Sequence, residues 1–204
     1  MNLFRMLFLG AFLVALPASS AYAHPGHHHD STGGGMVAGM THPLLGVDHL
    51  LAMVTVGLLS AQISAQLGGR TIWAVPGSFL GFMIVGGLLG MSGWELPAVE
   101  YGIAASIILL GLALALNQKL TLVVPMLFAG VFGIYHGHAH GTEMPAIANP
   151  ALYALGFVAA TAALHVAGVL IGLLAINSVR GATSLRISGA AIACVGVWFV
   201  LSTG

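Results

Sequence analysis

The sequence predicts an all-α membrane protein, a bundle of six transmembrane helices left after removal of a signal peptide, with both mature termini in the periplasm. Three observations carry that expectation. The 204 residues are 58% hydrophobic and 5% charged, with a mean hydropathy of +1.02, far outside the range of soluble domains. Six apolar runs, each near the ~20 residues needed to cross a bilayer, follow one another through short polar connections. Basic and acidic residues then alternate between successive connections, which orients the bundle.

Residues 1–23 form the expected signal peptide. Arg5 precedes the apolar run LFLGAFLVAL (7–16), and Ala21-Tyr22-Ala23 supplies a small-x-small cleavage site. The run is short for a bilayer span, so cleavage before His24 is favoured over an uncleaved anchor. Residues 24–41 are the His/Gly-rich periplasmic leader, opening HPGHHHD and continuing as a Gly-rich linker from Ser31 to Gly39. The free amine, His24, His27, His28 and His29 make a dense ligand patch that suits collection of metal.

Residues 42–204 form the transmembrane domain. Apolar runs fall at about 44–67, 72–92, 99–117, 120–140, 150–177 and 185–202. Arg70, Lys119 and Arg180 occupy the first, third and fifth connections, with Arg186 just beyond. Glu95 and Glu143 mark the second and fourth, with Glu100 close by. The positive-inside rule therefore places the odd connections in the cytoplasm of a bacterium, across its cytoplasmic membrane. The 29 glycines, in patterns such as Gly77-x3-Gly81, point to close helix packing. The first three and last three spans run in opposite senses, as two inverted halves would.

Charge excludes one class of partner and histidine suggests another. Five basic residues balance five acidic ones, which argues against nucleic acid, while ten histidines equal both together. The single Cys194 excludes an internal disulfide and a cysteine-built metal cluster.

The polar residues inside the membrane gather at one depth. Pro43 suits the first turn of a helix and sets His42 at its outer mouth. Asp48 and His49 follow roughly 8–9 Å deeper, with Met53 a turn below His49. The fourth span returns to that level with HGHAHGTE (136–143). His136, His140 and Glu143 share a helical face there, and His138 points away. His165 lies nearer the membrane middle, with Thr161 a turn above.

An aspartate in the apolar zone costs about 2.5–3.5 kcal/mol on insertion scales, which a divalent cation would offset. Imidazole and carboxylate without thiolate select a transition metal such as nickel, cobalt, zinc or copper(II). Met53 at helical spacing is read first as core. His165 fits an interhelical hydrogen bond as well as a relay. His138 and His140 fit a solvated loop as well as ligation.

The blocks His42-Pro43-x2-Gly46-x-Asp48-His49-x3-Met53, His136-Gly137-x-Ala139-x-Gly141-x-Glu143 and Thr161-x2-Leu164-His165-x2-Gly168 resemble the motifs of the HupE/UreJ family, membrane proteins associated with hydrogenase and urease gene sets. The resemblance spans nearly the whole chain. It implies a permease that imports nickel, or cobalt, to supply hydrogenase or urease maturation, with the metal as cargo and no prosthetic group. It carries function onto His42, Asp48, His49, His136, Glu143 and His165, and leaves His138, His140 and the leader histidines outside the pattern.

Two rivals share the ligand chemistry. A zinc-dependent intramembrane lipid hydrolase would use the same side chains to activate water, but neither HExxH nor GxSxG occurs. A periplasmic metal sensor or buffer would rest on the leader. No phosphate-binding loop for ATP is present, and the sequence leaves a homo-oligomer open.

Overall fold

The computed structural model describes residues 34–142, 144 and 149–202. The signal peptide, His24, His27, His28, His29 and Glu143 lie outside the described residues. These hold seven α-helices: α1 (Gly34–Leu45), α2 (Val47–Leu67), α3 (Ala74–Met91), α4 (Val99–Leu116), α5 (Val123–Thr142), α6 (Pro150–Ile176) and α7 (Val179–Ser202), with a 3₁₀ turn (Gly69–Thr71) between α2 and α3. The protein is a multi-pass membrane protein. Five segments are long and apolar enough to cross a bilayer: Val47–Leu67, Gly69–Met91, Val99–Leu116, Pro150–Ile176 and Val179–Ser202. The other predicted span, α5, forms a full helix but is not among them. His136, His138 and His140 in its last turns dilute its hydropathy.

Three sequence expectations need correction. The segment expected as a Gly-rich linker is largely helix, because α1 begins at Gly34 and packs along α6. A Cβ on Gly39 would strike the Tyr153 carbonyl, and one on Gly156 the Met36 carbonyl. The glycines that lower intrinsic helix propensity are what let the two backbones touch. Secondly, Pro43 lies inside α1 near its end, not in the first turn of α2. The chain turns instead at Gly46, whose extended backbone (φ −79°, ψ 114°) separates the two helices, so His42 belongs to the last turn of α1. Thirdly, the connection expected around Arg180 is already helical. Ser178 accepts a hydrogen bond from the Gly181 amide at 3.1 Å and starts α7 six residues before the apolar run.

Other boundaries follow local rules. Asn149 accepts bonds from the amides of Ala151 (3.1 Å) and Leu152 (3.4 Å), and Pro150 occupies the first turn of α6. Asn117, in the left-handed conformation, closes α4.

Glycine contacts define three tight helix pairs. In α3 and α5, Gly133 meets Phe79, Gly137 meets Met83 and Gly141 meets Gly87, so these helices run parallel. Gly57 and Gly168 join α2 to α6, also in parallel, while Gly111 and Gly189 join α4 to α7 in antiparallel. Exchanging α2–α4 with α5–α7 turns the first pair into the second and maps the third onto itself, the pairing that two inverted halves produce. The central helix is α2, 72% buried over its apolar window, against 28–39% for the other four candidate spans. It carries His49 into the interior, with Ala52, Met53 and Val56 below it in the apolar core.

Candidate metal site

The turn at Gly46 starts α2, which carries Asp48 and His49 in its first turn, while α1, packed along α6, brings the His42 ring to the same place. From the other side, α5 delivers His136 and His140, one turn apart on one face. Their rings converge on a single atom. His49 Nε2 lies 2.9 Å from His136 Nδ1 and touches His140 Nε2. The His42 ring packs edge-on against His140 at 4.7 Å between centroids. His49, His136 and His140 are all buried, with His136 fully shielded. The wall above is aromatic, since Phe157 lies 4.4 Å from the His140 ring and Tyr153 lies 6.1 Å from His42.

Asp48 occupies the far edge of His49. Its Oδ1 accepts from the His49 backbone amide at 2.8 Å and lies 3.4 Å from His49 Nδ1. A carboxylate can only accept, so it favours the ring proton on Nδ1 and leaves Nε2, the nitrogen that faces the other rings, as a lone pair. Carboxylate–histidine pairs of this kind orient metal-binding imidazoles. The side chain of Asp48 is 32% exposed. The apolar-zone carboxylate thus keeps partial access to solvent and an imidazole partner, which lowers the cost of placing it there. Thr55, a second conceivable partner, instead donates to the Leu51 carbonyl at 2.6 Å.

The remaining predicted residues separate from this cluster. His138 points away, and its Nε2 meets the Trp94 carbonyl at 2.7 Å, tying α5 to the loop between α3 and α4. Met53 is fully buried in the apolar core. His165 is buried on α6, and its Nε2 and the Thr161 hydroxyl have no hydrogen-bond partner among the described residues. The Phe79 ring contacts both His136 (5.5 Å) and His165 (5.4 Å), forming an apolar divide between the cluster and the deeper histidine.

Sequence reasoning passed over Ser106. This fully buried residue of α4 stands 2.9 Å from His136 Nε2 and donates to the Ile103 carbonyl at 2.6 Å. Its only signal was a lone hydroxyl within the run SIILLGLALAL. The arrangement as it stands is a contact network. Among the described residues, no three His, Cys, Asp or Glu side chains form a ready metal cage, because the inward nitrogens touch one another.

Comparison with known proteins agrees with this frame. The chain is 41% identical over 183 residues to Protein HupE of Rhizobium leguminosarum bv. viciae, covering 90% of this chain and 91% of that protein. No solved structure matches it. The family described as HupE / UreJ protein matches residues 12–199, and the chain belongs to the HupE/UreJ family.

Proposed function

We propose that this protein is a secondary permease, not an enzyme, that carries nickel, or cobalt, from the periplasm to the cytoplasm of a bacterium. In this reading all six helices α2–α7 cross the cytoplasmic membrane, α5 included. Both mature termini and α1 are periplasmic. Arg70, Lys119, Arg180 and Arg186 then lie on the cytoplasmic side, and the histidine cluster opens toward the periplasm. The metal is cargo, delivered for hydrogenase or urease maturation.

The observation that carries the reading is the convergence of His49 Nε2, His136 Nδ1 and His140 Nε2 in the buried interior beside His42. Three imidazoles without a thiolate suit a borderline divalent ion. An ion held at about 2.1 Å from each nitrogen separates adjacent donors by about 3 Å or more, so the rings must part to admit it. That rearrangement keeps binding moderate, as transport requires, whereas a preformed closed site would trap the ion. His24, His27, His28 and His29 collect the ion and Glu143 joins the entry. His165 receives it after the Phe79 ring moves aside. Membrane potential, a proton gradient or capture by cytoplasmic chaperones supplies the drive.

Radioactive nickel uptake into proteoliposomes tests the proposal. The purified chain should accumulate nickel above empty vesicles, and His49→Ala should not. Nickel binding without accumulation would favour a sensor or buffer. Chelator-sensitive release of fatty acid from lipid would favour the hydrolase.

A further inference from the structure

The hydrogen-bond directions around His136 fix more than its position. The Ser106 hydroxyl carries one hydrogen and has two close neighbours, the Ile103 carbonyl oxygen at 2.6 Å and His136 Nε2 at 2.9 Å. A carbonyl has no proton to offer. Were the hydroxyl hydrogen turned toward His136, two oxygen lone pairs would face each other at 2.6 Å in a site without solvent, where such a mismatch is most costly. The hydrogen therefore goes to Ile103, and the second contact is satisfied only by an N–H from His136 Nε2. A neutral imidazole protonated there has a bare Nδ1, and that nitrogen is the one facing His49 at 2.9 Å.

We propose that Ser106 is a positioning residue for the metal site: by accepting the Nε2 proton of His136, it presents the Nδ1 lone pair to the cluster. This rests on the permease reading above. Asp48 performs the matching role for His49 from the opposite edge, through Nδ1. With both outer partners in place, His49 Nε2 and His136 Nδ1 face each other as two acceptors 2.9 Å apart, a contact that costs free energy until a cation, whether a metal ion or a proton on one ring, lies between them. Without Ser106, His136 is released to carry its proton on Nδ1 and donate it to His49 Nε2. The two rings would then satisfy each other, and metal would have to break that bond to enter.

The experiment uses the full chain in lipid nanodiscs with ¹⁵N-labelled histidine, without metal and at alkaline pH, where the imidazoles are neutral. The His136 signals are identified by their loss in His136→Gln. In the parent, His136 should be protonated at Nε2 and bare at Nδ1. Ser106→Ala should shift the proton toward Nδ1 and weaken nickel binding by calorimetry about 10-fold or more, the range for removal of an outer-sphere partner. Ser106→Thr, which keeps the hydroxyl, should restore both. A parent His136 protonated at Nδ1 would overturn the proposal. So would a Ser106→Ala protein with unchanged ring protonation, whether or not its affinity falls. Failure of the parent to bind nickel would remove the permease reading, while the ring-proton pattern would still decide what Ser106 does.

Discussion

Two histidine environments in this protein have opposite character. At the outer end of the bundle, His49, His136 and His140 contact one another, and His49 and His136 have polar partners behind them in Asp48 and Ser106. Deeper, His165 is equally buried but lies against Phe79, with its Nε2 unpaired among the described residues. Burial alone therefore does not distinguish a binding histidine from a passing one. The partner behind the ring does, because it decides which nitrogen keeps a lone pair. In the proposed permease the outer cluster would hold the ion and the inner ring would pass it on.

The largest expected effect is at the atom on which the cluster converges. His49→Ala should lower initial nickel uptake by about 100-fold or more, since it removes one donor and the common contact of two others. Equal uptake by this variant at equal membrane abundance would erase the distinction. Asp48→Asn comes next, with nickel affinity falling about 10-fold or more because the carboxylate behind the ring is lost. If Asp48 bound the ion itself, nickel X-ray absorption would show an oxygen ligand disappear in this variant, whereas the orienting role predicts an unchanged nitrogen set.

Acid should separate the regions as well. Neutral imidazole binds metal and imidazolium does not, so uptake should fall in acid. Proton release on adding nickel, seen with a pH indicator, should appear in acid, where the rings are protonated beforehand, and vanish where they are neutral. His165→Gln should be milder, slowing turnover several-fold while leaving equilibrium nickel affinity nearly unchanged. The smallest effect is expected of His138→Ala. It removes one hydrogen bond to Trp94, about 1 kcal/mol, which should lower the melting temperature slightly without altering affinity.

The fold was legible where hydrophobic length is the signal. The cores of α2 to α7 coincide with the apolar runs, because a helix satisfies its backbone within its own length, as a segment in lipid must. What escaped was governed by contact. Gly39 read as part of a linker, yet it lies inside α1, where its backbone presses against α6. Helical periodicity put His136 and His140 on one face and at the depth of His49, since α2 and α5 run in opposite senses. The family pattern gave no reason to include His140, and only the packing of α1 along α6 brings His42 onto its ring. Asp48 drew attention as a charge in an apolar zone, but its orientation toward Nδ1 is a rotamer, which sequence does not specify. Ser106 was silent because serine in an apolar helix commonly bonds its own backbone, and this one does so while also meeting His136.

The most direct measurement is anomalous scattering from crystals of the full chain soaked in nickel, which locates the ion and identifies the element together. The expected result is a nickel peak within bonding distance of His49 Nε2, His136 Nδ1 and His140 Nε2, with Asp48 outside the coordination sphere. A peak elsewhere in the bundle, with those three rings still in mutual contact and free of metal, would contradict the account.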